Sequence, residues 1–367
     1  MDEPIADLDT PSLLIHLGAL ERNIAEMQEV ANACGVALRP HAKTHKCPDI
    51  ARMQLDAGAE GITVAKLGEA EVMVDAGIDD VLVAYPIVGE RKLARLRALA
   101  ERASVCVTTD SVEVTEGLGR VGRDLGRDVP VLVEVDTGLH RVGRPPGAPT
   151  VELVKELAGV KGVEVLGLLT HAGHAYRCSS AEELRAVAQR EGRDLVETAE
   201  LCAAEGIPIR QISVGSTPTA GIVAGVAGVT EIRPGTYVFN DVQQMRLGVA
   251  TEARCAARVL TTVVAHPTDE RFVLDAGTKA FTSDGGDGPP FPGRGVVAGR
   301  PGLVLDFMSE EHAVGHRTGS DDVLIGERLE VVPLHVCSTV NMFDEAFGVS
   351  GGEVVRTFSI AGRGKMR

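Results

Sequence analysis

The sequence predicts a (β/α)8 barrel followed by an antiparallel β domain, and two patterns predict it. From Ser12 to about Asn240, short β-branched runs alternate with stretches of helical period. About eight such runs are present, which is the number that a closed parallel barrel requires. After about residue 248, apolar runs follow one another closely between turns of Gly, Pro and Asp, which is typical of antiparallel strands. The predicted domains are residues 11–247 for the barrel, and residues 1–10 with 248–367 for the β-rich domain.

The barrel strands are predicted where apolar and β-branched residues form short runs that end in polar or turn residues. Between these runs, residues such as Leu20, Ile24 and Met27 fall on one face of a helix. An open, doubly wound sheet shows the same alternation and stays the structural alternative. In chain order, the predicted strands are Val36–His41, Gly61–Ala65, Val81–Pro86, Ser104–Thr108, Val129–Asp136, Val163–His171, Gln211–Gly215 and Glu231–Asn240.

The second domain is predicted from apolar runs that no long helical pattern interrupts. A stretch rich in Gly, Asp and Pro, Asp284–Arg300, is predicted to be a long functional loop between its strands. The predicted strands of this domain are Ala256–Ala265, Phe272–Asp275, Val323–Ile325 and Leu329–His335.

Composition and charge narrow the class of protein. The formal net charge of −15 disfavours nucleic acid and anionic membranes as partners, because both are polyanions. The start of the chain lacks the basic and apolar segments of a signal peptide, and no run is long enough to span a membrane, so we expect a cytoplasmic protein. Seven cysteines without a repeating spacing indicate reduced thiols. The chain is therefore expected to be a globular enzyme that acts on a small molecule.

The segment Arg39–Lys46 contains the most informative residue, Lys43. Two histidines, an arginine and a second lysine surround this lysine in the sequence, directly after an apolar run. Neighbouring cations and partial burial favour the neutral amine, which is the form that attacks an aldehyde. Lys43 is therefore a candidate Schiff-base lysine, and a basic strand end that binds solvent or a carboxylate is the alternative.

The ends of the predicted strands hold the other candidates, because α/β barrels carry their chemistry at the carboxyl ends of the strands. Those ends include Tyr85, Asp136, His171 and the turn Gly215-Ser216-Thr217. Backbone N–H and hydroxyl groups in such a turn suit a phosphate, although the same composition is also typical of an ordinary turn. The segment 233–237 is a second turn with the same two interpretations.

A His-x-Cys pair, His335 and Cys337, closes the last predicted strand. Residues two apart on a strand point to the same face, so we expect the imidazole and the thiolate to converge on one cation, with zinc preferred. Two protein ligands would leave positions open for water or substrate, as in catalytic sites. A third ligand from His312 or Asp344 stays open, as does a strand pair that holds no metal.

Taken together and in order, these motifs resemble the D-threonine aldolase / D-serine dehydratase family from one end of the chain to the other. That family belongs to the fold-type III pyridoxal 5'-phosphate enzymes, so the resemblance implies an alanine-racemase-like barrel, a C-terminal β domain and a homodimer. The segments that carry the resemblance are Thr10-Pro11-Ser12-Leu13-Leu14-Ile15, Leu20-Glu21-Arg22-Asn23-Ile24, Arg39–Lys46, Gly61–Glu71, Glu134-Val135-Asp136-Thr137-Gly138, Arg141-Val142-Gly143, Gly215–Thr219, Arg233–Tyr237 and Pro333–Asn341.

The resemblance also implies roles for individual residues. Lys43 matches the lysine that binds pyridoxal phosphate covalently, and His335 and Cys337 match the pair that holds a divalent metal, Zn²⁺ or Mn²⁺. The residues implied to contact the ring or phosphate of the cofactor are Arg141, His171, Tyr176, Gly215, Ser216, Thr217, Gly235 and Tyr237.

The resemblance leaves the type of reaction open between two members of the lyase class. Cysteine at position 337 is similar to dehydratase-type members, whereas Thr339-Val340-Asn341 and Asp344 are similar to aldolase-type members. The sequence favours retro-aldol cleavage of a β-hydroxy-D-amino acid to glycine and an aldehyde. The alternative is removal of water from D-serine or D-threo-3-hydroxyaspartate, which gives a 2-oxo acid and ammonia.

Candidates for the proton-transfer base are histidines, of which His41 and His312 are singled out beside Lys43, by residue type and expected position. His45, His171 and His174 are further candidates.

Two other functions are less consistent with the sequence. A fold-type III racemase uses a tyrosine from its β domain as second base, but the three tyrosines here all precede that domain. A non-catalytic carrier of pyridoxal phosphate would resemble the barrel alone, whereas this chain adds a second domain with the His-x-Cys pair.

Overall fold

The computed structural model describes residues 3–284 and 288–367, which divide into two compact units. The barrel unit consists of Glu26–Lys43, Ile50–Gly235 and Gly364–Arg367. The β unit consists of the remaining described residues. No helix in the described part of the chain is long and apolar enough to cross a membrane.

The first strands, β1 and β2, are short and belong to the β unit. β1 is Glu3–Pro4 and β2 is Ser12–His16, whose first four residues are buried. A run of Ser-Leu-Leu-Ile-His buried on both faces is typical of a central strand, and β2 accordingly pairs on both of its edges.

Eight parallel strands form the sheet of the barrel unit. Its order is β3-β10-β9-β8-β7-β6-β5-β4, and the segment after β3 closes the ring on β4. There His41 forms a parallel bridge with Thr63, and Thr63 N–H donates to Pro40 O over 2.8 Å. The strands are β3 Ala37–Leu38, β4 Ile62–Val64, β5 Asp80–Val83, β6 Ser104–Thr109, β7 Val129–Glu134, β8 Val163–Leu169, β9 Gln211–Val214 and β10 Glu231–Ile232.

The predicted barrel is therefore confirmed, and each predicted barrel strand overlaps an observed one. The prediction for Glu231–Asn240 was too long, because β10 ends at Ile232 and a 3₁₀ turn covers Thr236–Val238. Proline at position 234 has no N–H to continue a ladder, which explains the early end of the strand.

Helices connect the barrel strands and cover their outer face. Val81, Val83 and Val107 pack outward against the helices, while Leu82 and Leu132 pack inside the barrel. Strands that are buried on both faces are expected to be apolar throughout, as these are. The helices before the C-terminal strands are α1 Leu17–Cys34, α2 Pro48–Asp56, α3 Leu67–Asp75, α4 Glu90–Ala100, α5 Val112–Leu125, α6 Ala148–Ala158, α7 Ala181–Ala204, α8 Thr217–Val223 and α9 Val242–Arg246.

Helix α7 is the longest, and its start is fixed by side-chain caps. Ser180 Oγ accepts from Glu183 N–H over 3.1 Å, and Glu183 Oε2 in turn accepts from Ser179 N–H over 2.8 Å. Such reciprocal caps satisfy backbone donors that the first helical turn leaves open. They set the register with which α7 places its buried residues against the barrel.

The β unit is built on a ring of antiparallel strands. Strand β11 pairs with β12 and β16, and β12, β15, β14, β13 and β16 follow in order, so this ring closes; β2, β17, β18 and β1 extend it from β11. The strands are β11 Ala257–Thr268, β12 Arg271–Leu274, β13 Gly295–Val297, β14 Leu303–Met308, β15 Ala313–Arg317, β16 Arg328–Pro333, β17 Glu345–Ser350 and β18 Glu353–Ser359, with a short helix, α10, at Val336–Val340.

Three details of the predicted β domain were wrong. Val323–Ile325 is not a strand, since Leu324 and Ile325 are exposed in a turn that Gly326 completes with a φ of +87°. The predicted loop at Asp284–Arg300 contains β13, and its residues 285–287 lie outside the described residues. The strand predicted at Leu329–His335 ends at Pro333.

Candidate active site

Lys43 follows β3, at the point where the chain after β3 pairs with β4. Ala42 N–H donates to Thr63 O over 2.7 Å, and the chain then turns, so Lys43 lies half-buried at the carboxyl end of the barrel strands. The Lys43 backbone N–H faces Nδ1 of His41 at 3.4 Å. The pairing with Thr63 therefore fixes the position from which the lysine side chain extends.

Two neutral histidines accompany Lys43. Burial holds the pKa of His41 well below its usual value, and the charges of Lys43 and Arg233 lower this pKa further. The pKa of His171, which follows β8, is likewise well below its usual value through burial, then through Lys43 and Arg141. At neutral pH each imidazole therefore has one acceptor nitrogen, as a proton-transfer group needs.

Arg233 is a buried cation beneath this cluster. Its Nη1 donates to Ser213 Oγ and its Nη2 to Thr170 O, each over 2.5 Å. Burial lowers the pKa of Arg233. A guanidinium nevertheless stays charged in proteins, so Arg233 is a fixed positive charge. The sequence analysis placed Arg233 in a predicted turn and did not assign it to the site. No local sequence pattern indicated that this arginine is buried.

Arg141 is the more exposed cation of the cluster. Its side chain is 54% exposed, and Nη2 lies 3.8 Å from Oε1 of buried Glu134. Burial raises the pKa of Glu134, and Arg141 opposes that rise. This distance is long for an ion pair, so Arg141 remains available to another anion.

The turn Gly215-Ser216-Thr217 is buried and tightly held. Gly215 has a φ of +100°, which favours glycine, and its N–H donates to Oε1 of Glu191 over 2.9 Å. Ser216 caps α8 in a capping box with Thr219, whose Oγ1 accepts from Ser216 N–H over 3.0 Å. The turn is therefore fixed by the chain itself before any ligand binds.

Glu191 of α7 lies under this turn and was not found from the sequence. It is 1% exposed, and its Oε1 accepts from Ala172 N–H over 3.3 Å as well as from Gly215 N–H. Oε2 makes no hydrogen bond to any described residue. Burial raises the pKa of Glu191. One carboxyl group thus joins the turn after β9 to the end of β8, next to His171.

The remaining predicted cofactor contacts are placed as follows. Tyr176 is half-buried in a 3₁₀ turn, Gly173–Arg177, after β8. Gly235 is buried and is the last residue of the central segment of the barrel unit. Tyr237 is 2% exposed and belongs to the β unit.

His335 and Cys337 are adjacent in the β unit, but not on a strand. His335 is the N-cap of α10, and Cys337 is the second residue of that helix. The prediction that both point from one strand face was therefore wrong, although the two side chains do meet. Burial disfavours the charge on His335, but the hydrogen bond with Cys337 and its charge raise the pKa of His335 to about 9. A metal ion bound by this nitrogen and sulfur would displace the proton of their hydrogen bond.

Polar groups of the β unit surround this pair. Thr44 Oγ1 lies 3.2 Å from Cys337 Sγ, and Thr236 Oγ1 lies 3.7 Å from it. Buried Asp241 accepts from Val336 N–H over 3.1 Å and so holds the start of α10. The thiol thus lies among hydroxyl groups that suit a thiolate.

Asp284 is the nearest carboxylate on the other side of His335. Its Oδ2 lies 3.5 Å from His335 Nδ1 and accepts from Ser338 Oγ over 2.7 Å. No group of three or more His, Cys, Asp or Glu side chains that could hold a metal is found within residues 3–284 and 288–367. His312 is exposed between β14 and β15, and Asp344 is 85% exposed and pairs with Arg363. Neither therefore completes the site as a third ligand.

The side chains present fit the two groups that the sequence implies. Lys43, Arg141 and Arg233 offer positive charge, and His41 and His171 are neutral, which suits an anionic aldehyde such as pyridoxal phosphate. His335 and Cys337 supply one nitrogen and one sulfur ligand, which suits zinc or a similar divalent ion with open positions.

Models of known protein families and curated proteins match most of the chain. Residues 15–242 match the profile "Alanine racemase, N-terminal domain", and residues 256–349 match "Putative serine dehydratase domain". D-threo-3-hydroxyaspartate dehydratase of Delftia sp. (strain HT23) is 36% identical, with 98% of each chain covered. D-threonine aldolase of Arthrobacter sp. is 35% identical, covering 100% of this chain and 95% of that protein.

Solved structures are similar over the whole chain. D-threonine aldolase from Filomicrobium marinum has a TM-score of 0.93 and 33% identity, covering 100% of this chain and 98% of that one. A metal-free cysteine-to-alanine mutant of D-threo-3-hydroxyaspartate dehydratase has a TM-score of 0.89 and 34% identity, covering 97% and 98%. Alanine racemase from Clostridium difficile, at 14% identity, TM-score 0.66 and coverage of 96% and 99%, is similar in fold alone.

Proposed function

The chain belongs to a family of pyridoxal-phosphate lyases that act on β-hydroxy-D-amino acids, with an alanine-racemase-like N-terminal domain, and we propose that it is itself such a lyase and needs a divalent metal. The observation that carries this proposal is the environment of Lys43. An amine close to two half-buried neutral histidines, with two arginines nearby, suits covalent binding of an anionic aldehyde.

The cofactor contacts are proposed from the same cluster. Lys43 would bind the aldehyde carbon, and the buried turn 215–217 would accept the phosphate with hydroxyl and backbone N–H groups. Arg141, His171 and Tyr176 would contact the ring, with Gly235 and Tyr237 as further contacts. When bound, pyridoxal phosphate supplies an electron sink for charge that develops at the substrate Cα. The protein supplies the position of that Cα and the groups that move its protons.

His335 and Cys337 are proposed as the metal ligands. The hydrogen bond between the two side chains brings an imidazole nitrogen and a sulfur close enough to hold one divalent cation, and Thr44 Oγ1 lies 3.2 Å from the sulfur. Thr44 directly follows Lys43 in the sequence. When bound, the metal supplies a Lewis acid for the substrate β-hydroxyl.

Removal of water is proposed as the first reaction, because the second metal ligand is a cysteine. D-threo-3-hydroxyaspartate dehydratase has been solved as a histidine-to-alanine and a cysteine-to-alanine mutant, the latter metal-free, and the two substituted positions are two apart. His335 and Cys337 have the same spacing. This match reverses the preference for aldol cleavage that the sequence alone gave.

In this reaction Lys43 would take the Cα proton, while the β-hydroxyl leaves as water. His41 or His171 would donate the proton that the leaving hydroxyl requires, since each neutral imidazole has one N–H group and one acceptor nitrogen. His312, which is exposed, is the weaker candidate.

Retro-aldol cleavage is the second candidate, supported by the TM-score of 0.93 with D-threonine aldolase over the entire chain. The same site would then take the proton of the β-hydroxyl instead of the Cα proton. Cleavage of the Cα–Cβ bond would give glycine and an aldehyde.

Product analysis tests both candidates. The purified protein is incubated with pyridoxal phosphate, with zinc or manganese, and with D-threonine, D-serine or D-threo-3-hydroxyaspartate. A 2-oxo acid with ammonia establishes the dehydratase, and glycine with an aldehyde establishes the aldolase. A protein that binds the cofactor but forms neither product set would be a carrier, and the lyase proposal would be abandoned.

A further inference from the structure

A group of cations lines the mouth of the barrel beside the Lys43 cluster. Lys66 follows β4 and precedes α3, Tyr85 follows β5, and Arg141 follows β7. Because the strands are parallel, all three residues lie at the carboxyl edge, as Lys43 does. Lys66 Nζ lies 3.2 Å from the centroid of the Tyr85 ring. Lys92 of α4 and Arg141 also contribute positive charge at Tyr85 and lower its pKa, after the contribution of Lys66.

These cations lack the partners that other cations of the chain have. Lys155 and Lys279, for example, each contact a glutamate at 2.5 and 2.6 Å. Among the described residues, Lys66 and Lys92 form no ion pair with a carboxylate, and Arg141 reaches only buried Glu134 at 3.8 Å. Uncompensated positive charge is unexpected in a protein with a net charge of −15.

The cations are linked to Lys43 by a short series of neighbours. Lys43 and Arg141 both act on His171 electrostatically, and Arg141 also acts on Tyr85. Tyr85 in turn contacts Lys66. The pairing of neighbouring strands agrees with this proximity. Ala42, next to Lys43, donates its N–H to Thr63 of β4, and Ala84, which follows β5, donates its N–H to Val64 of β4.

We propose that Lys66 and Lys92 bind a carboxylate on the side chain of the substrate, so that the preferred substrate is a β-hydroxy-D-amino acid with a second carboxyl group. This inference rests on the proposed lyase function. The amino group of the substrate would take the place of Lys43 at the aldehyde carbon, and Lys66 follows β4, the strand that pairs with the segment leading into Lys43, so the substrate side chain would extend toward these neighbouring strand ends. Electrostatic attraction to these half-exposed cations then distinguishes a dicarboxylic substrate from one with a neutral side chain.

Two other anions could take these cations, and they predict different behaviour. The α-carboxylate is present in every amino acid substrate, so its recognition here would affect all substrates equally. If the cations bound the phosphate of the cofactor instead, their removal would weaken the binding of the cofactor. Only recognition of the side chain changes the ratio between a dicarboxylic and a neutral substrate.

The test compares kcat/KM for D-threo-3-hydroxyaspartate with kcat/KM for D-threonine, each summed over all products. Wild type is expected to prefer the dicarboxylate. In Lys66→Met that preference falls about threefold, and in the Lys66→Met, Lys92→Met double variant about tenfold, as expected for partly exposed ion pairs. Rising salt reduces the preference of wild type more than that of the double variant.

Lys155→Met is the matched control, because it also removes one lysine charge from the barrel unit, outside the mouth cluster. Its substrate ratio should equal that of wild type. Equal losses toward both substrates in the Lys66 and Lys92 variants would overturn the proposal, and so would an unchanged ratio.

A binding measurement separates this inference from the lyase function. D-aspartate and D-alanine lack the β-hydroxyl, and their binding is followed through the absorbance of the bound cofactor. The variants should lose affinity for D-aspartate relative to D-alanine, even if wild type turned over neither hydroxy-amino acid. Absence of turnover in wild type would refute the proposed function, whereas equal affinity ratios in wild type and variants would refute only the role of the cations.

Discussion

Substitution of Glu191 tests whether one buried carboxyl group holds the turn that we assign to the cofactor phosphate. Glu191→Ala removes the acceptor of two buried N–H groups, those of Gly215 at 2.9 Å and Ala172 at 3.3 Å. A buried donor without a partner costs about 1–3 kcal/mol, and the longer bond belongs at the lower end, so the free energy of unfolding should fall by roughly 3 kcal/mol. Glu191→Gln keeps a carbonyl oxygen for both donors and should cost less than about 1 kcal/mol.

The pH dependence of the glutamine variant has a definite sign. Burial raises the pKa of Glu191, whereas the unfolded chain ionises this residue near its ordinary value of about 4.3. Between those two values the folded state binds more protons than the unfolded state, so this group makes stability fall as pH rises. Glutamine does not titrate. The stability of Glu191→Gln relative to wild type should therefore increase from pH 4.5 to pH 7.5, by about 1.4 kcal/mol for each unit by which the pKa is raised, up to pH 7.5.

Urea denaturation at several pH values measures both effects, and the absorbance of the bound cofactor measures the affinity of the turn for it. Glu191→Ala should bind the cofactor more weakly, and Glu191→Gln should restore binding. Equal stability of the alanine and glutamine variants would show that the two hydrogen bonds do not matter. A stability difference that did not change with pH would show that Glu191 is ionised in the folded protein like any exposed glutamate.

Three other predictions concern the proposed covalent and metal sites. Lys43→Met should abolish the visible absorbance of the bound cofactor, because no amine remains to bind the aldehyde; an unchanged spectrum would rule out Lys43. Cys337→Asp should shift metal preference from zinc toward manganese, measured by competition between the two ions, since carboxylate is the harder ligand. Asp284→Asn should weaken metal binding about threefold in a chelator titration, because Asp284 is 60% exposed and its charge acts on His335 through solvent. Asp344→Asn, which removes an equally negative but distant group, should leave metal affinity unchanged, and an equal loss in both variants would contradict the role of Asp284.

The barrel could be predicted from the sequence because its strands are buried on both faces. Runs such as Val129–Glu134 and Gln211–Val214 are short, apolar and separated by helical stretches, which leaves few alternatives. The contacts that close the ring between β3 and β4 could not be predicted, because His41, which bridges to Thr63 of β4, lies outside any regular strand.

The β unit was harder to predict, because some of its strands, such as β18, are buried on one side only and several are short. Glu353–Ser359 has mainly exposed residues, so its composition resembles a loop, whereas the apolar run Val323–Ile325 is an exposed turn. In such strands the pairing partner, which is distant in sequence, decides the structure more than local composition does.

The residues of the candidate site also differ in whether the sequence alone could identify them. Lys43, His335 and Cys337 could be found because each lies in a short segment whose residue types indicate the chemistry. Glu191 and Asp284 could not, since each joins the site through partners 19 to 54 residues away, and no local pattern marks such a carboxylate. The geometry of His335 and Cys337 was wrong for a related reason. The two residues meet just after β16 ends, where His335 is the N-cap of α10, and the sequence did not indicate that the strand ends before them.

The polar interior of the barrel explains how the cluster around Lys43 keeps its charges in place. Arg39 Nε donates to Glu231 over 2.8 Å, Ser213 donates to the same carboxylate, and Arg233 donates to Ser213. Burying these groups costs stability unless every charge is paired, and here an arginine on either side shares one glutamate. This network holds Arg233 at a fixed position below His41. Burial and the charge of Lys43 hold the pKa of His41 well below its usual value, and the fixed charge of Arg233 lowers this pKa further, so a neutral histidine remains beside Lys43.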